Sequence, residues 1–274
     1  MLVDAHQHFW SIARGDYGWL TPAAGAIYRD FLPHDLEAHL KHHGITHTVL
    51  VQAAPSIEET EYMLGLADAT PWIAAVVGWI DFADAAHRRH LERFARHRKF
   101  RAVRPMLQDI AETEWVLRPE LTWAFRALVD LNLHFEFLGT ARHLDTATKL
   151  LARHPDLPVV LDHALKPQIR DRAFEPWAGQ MTRLANETTA VCKLSGLVTE
   201  ARPGWTLGDL KPYVDHLVAV FGPDRILWGS DWPVVNSNGS YDSWRAVTQA
   251  LIGAHPGAHQ ILGDTARRVY RIAA

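Results

Sequence analysis

The amino-acid sequence predicts one closed (β/α)8 barrel, an α/β fold in which eight parallel strands alternate with helices. Eight short apolar runs recur through the 274 residues, and most show little polar alternation, as expected of strands covered on both faces. Their starts average about 32 residues apart, the size of one strand and helix unit. No linker, charge run or internal repeat divides the chain, so we expect a single domain over residues 1–274.

The predicted strands follow one another from one end of the chain to the other. They cover residues 2–5, 48–52, 73–79, 101–104, 133–138, 158–162, 190–195 and 226–230. The alternative is an open, doubly wound sheet. It is disfavoured because His6-Gln7-His8 follows the first run, where a glycine-rich phosphate loop would stand in that fold.

Helical periodicity lies between the strands. Apolar residues at helical spacing over 121–128 and again over 210–221 each mark one buried helix face. Ser56 with Glu59 three positions later forms a capping-box pattern, and Gly44 suits the end of a helix. Helices are therefore expected to cover the outside of the strands.

One connection is unusually long for a barrel. Residues 9–33 precede the first convincing helix and contain the aromatic residues Trp10, Trp19 and Tyr28. This segment either covers the active site or packs its aromatic side chains into a groove. The sequence leaves both interpretations open.

Composition excludes several classes of protein. The chain has 28 Lys and Arg against 31 Asp and Glu, so its net charge of −3 does not suggest a partner such as nucleic acid or an anionic membrane. Cys192 is the only cysteine, which excludes an intramolecular disulfide and a thiolate-rich metal site. No secretion signal or long apolar run is recognisable, so we expect a cytoplasmic protein. The oligomeric state is not predicted.

Polar side chains stand where the predicted strands end, and the active sites of such barrels lie at those ends. His6 and His8 follow the first strand and project to the same side, while His163 and Asp231 follow the sixth and eighth strands. With 17 histidines in the chain, a lone histidine is weak support for function. Structural hydrogen bonding of the histidines and loop capping by Asp231 therefore stay open as alternatives. Further candidates are Gln52, Arg104, Glu136 and Lys166. Lys193 and Ser195 share one face of the seventh strand, and a structural role is the preferred interpretation for both.

Four segments of the sequence together resemble a known family. They are residues 4–10 (DAHQHFW), 161–167 (LDHALKP), 192–200 (CKLSGLVTE) and 229–233 (GSDWP). In this order they are similar to the sugar-lactonase branch of the amidohydrolase superfamily. The resemblance implies a distorted (β/α)8 barrel that opens lactone rings by water attack. It also implies that His6, His8, His163 and Asp231 match the family's first histidines and last-strand aspartate.

The sequence departs from this family at two places. The fourth strand of related lactonases resembles Arg-His-Gln-Leu-Gln-Asp, whereas this chain has Pro105 and Met106 after Arg104. The loop after His163 often carries a glycine where this chain has Leu165, which predicts a narrower pocket. Both departures concern the identity of the sugar more than the type of reaction.

We therefore expect an enzyme that hydrolyses a small sugar-acid lactone. Asp231 would accept the proton of the attacking water, while Arg104, His163 and the pair His6 and His8 would stabilise the carbonyl oxygen. The residues expected to contact the substrate are Trp10, Trp19, Tyr28, Gln52, Glu136, Lys166 and Trp232.

The same residues leave a metal and two other functions open. His6, His8, His163 and Asp231 are candidate ligands of a divalent ion such as zinc, although members of the related branch work without one and we expect no required cofactor. A metal-dependent decarboxylase is a second enzymatic interpretation, and a binding or scaffold barrel without catalysis is a third. The third is disfavoured because desolvating convergent charged side chains for packing alone is costly.

Overall fold

The computed structural model describes residues 1–273 and forms a (β/α)8 barrel. All eight strands pair in parallel and in sequential order, which confirms the predicted fold class. The strands are β1 Val3–Gln7, β2 His47–Val51, β3 Ile73–Gly78, β4 Phe100–Val103, β5 His134–Phe137, β6 Val159–Leu161, β7 Val191–Leu194 and β8 Ile226–Trp228. Each lies within two residues of a predicted apolar run.

Helices fill the connections between the strands. They are α1 Pro33–His43, α2 Ile57–Ala69, α3 Arg88–Ala95, α4 Thr122–Asp130, α5 Leu144–Arg153, α6 Trp177–Glu187, α7 Leu197–Glu200, α8 Leu207–Phe221, α9 Tyr241–Ile252 and α10 Thr265–Val269. Both helical stripes predicted from periodicity are present as α4 and α8. Gly44 ends α1 in the left-handed conformation, as its position predicted. No helix within residues 1–273 is both long and apolar enough to cross a membrane.

The barrel closes just beyond the end of β8, where the chain pairs with β1. The Asp231 amide donates to the carbonyl oxygen of His6 at 2.8 Å, and the His8 amide donates to that of Trp232 at 2.7 Å. A Cβ atom on Gly229 would lie 2.7 Å from the Cβ of His6, so only glycine allows this approach. The seam therefore brings the candidate residues of the first and last strands together.

Strand alternation sorts the side chains into two layers. Phe135 and Phe137 of β5 pack outward against the helices, whereas Glu136 between them points into the barrel. Cys192 and Lys193 of β7 divide in the same way. The barrel interior is otherwise lined by small aliphatic residues such as Val3, Ala5, Val49, Val51, Ala75 and Val77.

The start of α2 departs from the predicted capping box. Ser56 Oγ accepts the amide of Glu59 at 3.0 Å, but the Glu59 carboxylate does not return to the start of the helix. It accepts hydrogen bonds from the amide of Ala53 at 3.0 Å and the hydroxyl of Tyr17 at 2.8 Å. The Glu59 carboxylate therefore binds Ala53, which precedes α2, and Tyr17 of the long first connection, and it does not cap the helix.

The long connection after β1 both packs and reaches the mouth of the barrel. Two short 3-10 turns, Ile12–Arg14 and Pro22–Ile27, lie within it. Trp10 is fully buried and its indole N–H donates to the carbonyl oxygen of Arg29 at 2.8 Å. Trp19 is 41% exposed, and its indole donates to the carbonyl oxygen of Ala53 at 2.7 Å. The packing interpretation of this segment therefore applies to Trp10, and the covering interpretation applies to Trp19.

Candidate active site

His6 and His8 form a hydrogen-bonded pair at the end of β1. Their Nε2 atoms lie 3.2 Å apart, and His8 Nδ1 lies 2.8 Å from the carbonyl oxygen of Val51, to which it must donate. The Lys193 ammonium lies 3.1 Å from His6 Nδ1, which must therefore accept. The Arg104 guanidinium, which also can only donate, lies 3.4 Å from His6 Nε2. The His6 ring is thus held between two cations, Lys193 and Arg104.

Asp231 lies among three imidazoles. Its Oδ1 atom is 3.3 Å from His8 Nε2, 3.7 Å from His6 Nε2 and 3.9 Å from His163 Nε2. Burial alone would raise the pKa of this carboxyl, but His163, His8 and His6 outweigh burial and hold the pKa below its usual value. Asp231 is therefore a carboxylate at neutral pH. Its φ of +58° places it in the left-handed region, which aspartate tolerates better than most residues.

His163 stands at the start of an unusual backbone segment. His163, Ala164, Leu165 and Lys166 all have φ between 51° and 55°. Left-handed backbone costs a residue with a side chain about 1–2 kcal/mol, so surrounding contacts must hold this turn in place. One such contact is the indole N–H of Trp177, which donates to the carbonyl oxygen of Ala164 at 2.8 Å.

The His163 ring is held from the neighbouring strand. Its Nδ1 atom lies 2.9 Å from the hydroxyl of Ser195, and a Cβ atom on Gly196 would lie 2.5 Å from that nitrogen. Burial lowers the pKa of His163 to about 4, against the favourable charge of Asp231. The ring is therefore neutral at neutral pH.

Arg104 is held by contacts with Asp162, His6 and Gln52. Its Nη1 is 3.2 Å from Asp162 Oδ2 and 3.4 Å from His6 Nε2, and its Nη2 donates to the carbonyl oxygen of Gln52. The Gln52 amide donates in return to the carbonyl oxygen of Arg104 at 2.8 Å. Gln52 thus holds the arginine in place and is fully buried beneath it.

A charged network inside the barrel supports the site from below. The Lys193 ammonium donates to Glu136 at 2.6 Å and lies 3.0 Å from Asp162 Oδ1, in addition to its contact with His6. The Tyr270 hydroxyl donates to the other oxygen of Glu136. Burial raises the pKa of Glu136 to about 7, and Lys193 opposes that rise. The ammonium is thus hydrogen-bonded to Glu136 and His6 and forms an ion pair with Asp162.

The catalytic cavity, which we define by its lining, has a volume of about 210 Å³. Asp231, His163, Arg104 and His8 reach it directly, and His6 meets Asp231 and His8 beneath them. The other residues that line it are Trp19, Ala53, Met106, Gln108, Asp109, Leu138, Lys166 and Val234. The five predicted catalytic residues therefore converge at one mouth.

Of the predicted substrate contacts, Trp19 and Lys166 line the catalytic cavity, and the Lys166 ammonium donates to Gln108 Oε1 at 2.6 Å. The other five lie elsewhere. Trp10 and Trp232 are buried in packing around Phe31, Gln52 and Glu136 are committed to Arg104 and Lys193, and Tyr28 is exposed away from the cavity.

Leu165 is fully buried and does not line the cavity, so it does not narrow the pocket as its position in the sequence predicted. Its left-handed backbone turns the side chain into the core. Sequence reasoning gave little weight to Lys193 and Ser195, and it missed Asp162 and Tyr270. Strand alternation places Lys193 opposite Glu136 and was the usable signal for it. Nothing in the local sequence indicates Tyr270, which contacts Glu136 from 134 residues away.

Three of the predicted ligands are spaced to suit a divalent cation. Ligand atoms of His6, His163 and Asp231 all lie within 4.8 Å of one another, and His8 Nε2 adds a fourth donor beside Asp231. Imidazole and carboxylate are ligands that zinc accepts. A second group, His6, Glu136 and Asp162, has the same spacing, but the Lys193 ammonium sits among its three members. Only the first group fits a metal.

The chain matches known proteins over almost its whole length. Residues 3–272 match the family described as amidohydrolase. An L-fucono-1,5-lactonase of Burkholderia ambifaria is 41% identical, over 98% of this chain and 95% of the relative. A second L-fucono-1,5-lactonase, from Burkholderia multivorans, is 34% identical over 98% of this chain and 96% of the relative.

A crystal structure of an amidohydrolase from Burkholderia multivorans with bound zinc has the same architecture. It superimposes with a TM-score of 0.94 at 31% sequence identity, and the match covers 100% of both chains.

Proposed function

This chain belongs to the amidohydrolase family and is a hydrolase of sugar lactones, and we propose that it opens a small lactone of the L-fuconolactone type. The observation that carries the mechanism is the carboxylate of Asp231, which borders the cavity within 4 Å of three imidazole Nε2 atoms. A buried, ionised carboxylate beside an open cavity is suited to accept a proton from a substrate water.

The reaction begins when water attacks the lactone carbonyl carbon. One proton of the water passes to Asp231 as the new carbon–oxygen bond forms, and the carbonyl oxygen becomes an oxyanion. The Arg104 guanidinium and the His163 ring, both of which border the cavity, are the groups available to stabilise that oxyanion. They are pre-positioned by Asp162, Gln52 and Ser195, so little reorganisation is needed during the reaction.

The oxyanion then collapses and the bond between the carbonyl carbon and the ring oxygen breaks. Asp231 returns its proton to the departing ring oxygen, which becomes a hydroxyl of the open-chain acid. The carboxylic acid product ionises in solution. Each turnover consumes one water, and Asp231 is again a carboxylate. Lys166 and Trp19, at the edge of the same cavity, are proposed to hold the hydroxyls and the apolar face of the sugar.

We propose that this cycle does not require a metal. The support is that two cations, the Lys193 ammonium and the Arg104 guanidinium, already lie beside the His6 ring, which would be a ligand of the metal. When bound, a divalent cation would be held by His6, His163 and Asp231 and would supply Lewis-acid polarisation of the carbonyl. Binding would bring a further positive charge next to Lys193 and Arg104.

Chelation tests this proposal. We expect dialysis of the purified enzyme against a chelator to leave most of kcat/KM intact, with metal content measured by mass spectrometry on the same sample. Activity that disappears with the metal and returns on addition of zinc would show that the metal is required.

The substrate is tested with a panel of aldonolactones that differ at single stereocentres, assayed by proton release at constant pH. We expect L-fuconolactone and its nearest stereoisomers to be the best substrates. A carboxylated phenol, assayed for loss of carbon dioxide, tests the decarboxylase alternative. Hydrolysis of none of the lactones by folded protein would refute the proposal.

The setting of the reaction is also part of the proposal. We place the enzyme in the cytoplasm, acting in carbohydrate catabolism, because its one cysteine needs no oxidising compartment. The net charge of −3 supports a small-molecule substrate over nucleic acid or an anionic membrane.

A further inference from the structure

A second, larger cavity adjoins the catalytic cavity at the mouth of the barrel. This outer groove has a volume of about 600 Å³. Trp19, Met106 and Asp109 line both spaces, so the two adjoin at these residues. Nothing in the reaction derived above uses the outer groove.

The outer groove combines aromatic faces with carboxylates. Trp19, Trp79 and Trp115 are all partly exposed and line it, together with Asp16, Asp81 and Asp109. Among residues 1–273, no lysine, arginine or histidine lines this space. The charge distribution therefore disfavours an anionic ligand such as a phosphate or a second carboxylate.

The carboxylates have acceptor capacity left. Asp81 Oδ1 accepts the amide of Ala83 at 2.8 Å, and its second oxygen has no hydrogen-bond partner within the described residues. Asp16 pairs with Arg14 through Oδ2, while its Oδ1 is buried without a partner. An alkyl or aryl group in the groove would desolvate the second Asp81 oxygen without replacing its hydrogen bonds to water, which costs free energy.

A neutral sugar ring satisfies both features of the groove. Its hydroxyls donate to carboxylates, and its C–H faces pack against aromatic rings. The Trp19 indole N–H is already committed to Ala53, which holds that ring at the junction of the two spaces. We propose that the outer groove is a glycosyl subsite, so that the enzyme opens lactones carrying a further neutral sugar on a ring hydroxyl.

This inference rests on the proposed lactonase function and extends it to a class of substrate. The lactone ring occupies the catalytic cavity, the attached sugar lies past Trp19 and Met106, and the chemistry at Asp231 is unchanged. The reaction that supplies such a substrate must oxidise the reducing end of a disaccharide at its anomeric carbon.

The experiment compares three sets of lactones on the intact enzyme. They are L-fucono-1,5-lactone itself, derivatives with one hexose linked through O2, O3 or O4, and n-hexyl ethers at the same positions. We expect at least one glycosylated isomer to exceed the parent lactone in kcat/KM by about tenfold, the gain of a well-packed aromatic contact. The hexyl ethers should show no comparable gain.

Groove variants locate the effect. Trp79→Ala and, separately, Asp81→Asn should remove most of the glycosyl gain while leaving kcat/KM for the parent lactone unchanged. Neither residue lines the catalytic cavity. Trp205→Ala is the matched control, since Trp205 is also partly exposed but lies in neither space. Thermal unfolding verifies that each variant is folded, and Asp81→Asn keeps the test available if removal of the indole destabilises the fold.

Two results would overturn the proposal. One is a parent lactone hydrolysed as well as every glycosylated isomer or better, and the other is an equal gain from the hexyl ethers. In both results the lactonase function itself survives. Failure of folded enzyme to hydrolyse any of the three sets would instead overturn the proposed function together with the subsite.

Discussion

At the scale of single residues, the site sets protonation states by the competition between burial and neighbouring charge. Burial pushes Asp231 toward the neutral form and His163 away from the cationic form. At Asp231 the neighbouring imidazoles outweigh burial and lower the pKa, whereas at His163 the Asp231 carboxylate does not outweigh burial. The result at neutral pH is an anionic proton acceptor beside a neutral ring, and the lowered pKa makes Asp231 a weaker base than a free aspartate.

Substitution of Asp231 by asparagine tests its role as the base. The amide has nearly the same shape and tolerates the left-handed backbone, but it cannot accept a proton. We expect kcat to fall by about 10²- to 10⁴-fold, the usual contribution of general acid–base catalysis. Initial rates and a thermal melt of the same sample measure the effect. A folded Asp231→Asn enzyme with nearly wild-type rates would move the search for the base to His8.

The pH dependence of kcat/KM follows from the same shifts. His163 stays neutral until the pH falls to about 4, whereas an unperturbed histidine gains its proton near 6.5. Asp231 remains ionised to still lower pH, because its pKa lies below the ordinary 3.8. We therefore expect a plateau from neutral pH down to about 5. A profile at constant ionic strength that falls to half near pH 6.5 would contradict a neutral, depressed His163.

At the scale of elements, the turn from His163 to Lys166 shows where local sequence rules stop. Eight apolar runs predicted all eight strands, because strands buried on both faces depend on composition that the sequence displays directly. Four consecutive left-handed residues without a glycine could not be predicted, since local propensity opposes every one of them. Contacts from outside the turn, such as that of the Trp177 indole with the carbonyl oxygen of Ala164, hold them.

Gly196 gives this element a direct test. In Gly196→Ala, the added Cβ would lie 2.5 Å from His163 Nδ1, so the ring must move. We expect kcat/KM to fall by about 10²-fold, since displacements near 1 Å at a catalytic group cost that much. Gly204→Ala is the matched control, because Gly204 has a similar φ of +75° and no atom within 4 Å of an added Cβ.

Both alanine variants pay the cost of a left-handed backbone, about 1 kcal/mol in the free energy of unfolding. Only Gly196→Ala should also lose activity. Equal kinetics in the two variants would mean that the position of the His163 ring is unimportant.

At the scale of the whole molecule, closure of the barrel depends on Asp4. Its Oδ1 accepts the amides of Ser230 at 2.8 Å and His6 at 3.2 Å, and its Oδ2 accepts the hydroxyl of Tyr241 at 3.2 Å. Asp4→Ala leaves three buried donors without an acceptor and should lower the free energy of unfolding by about 3 kcal/mol or more. Denaturant titration measures this loss.

Asp4→Asn keeps an oxygen toward the two amides and should cost about 1 kcal/mol, the scale of one weakened hydrogen bond. Equal losses in the two variants would show that the side chain fills space at the seam and does not hold it by hydrogen bonding.

The position of the candidate site could be predicted from the geometry of the barrel. Once the strands are placed, their carboxyl ends must converge, and His6, His8, Arg104, His163 and Asp231 meet for that reason. Which aromatic residues of the long connection face the cavity was not predictable. Nothing in the local sequence distinguishes Trp10 from Trp19. Which indole is buried depends on where the chain places their acceptors, the carbonyl oxygens of Arg29 and Ala53.

The network beneath the site has a consequence for the order of events during synthesis. Glu136 receives its Tyr270 partner 134 residues later, and Asp4 receives the amide of Ser230 226 residues later. When the ribosome has released the chain only to the end of β7, the barrel cannot close. Lys193, Glu136 and Asp162 would then lie in an open, hydrated sheet. Pairing over such separations carries a large loop-closure entropy, which slows folding. Catalytic competence should therefore emerge in a late, post-translational step, and the half-made barrel is the species that chaperones would need to protect.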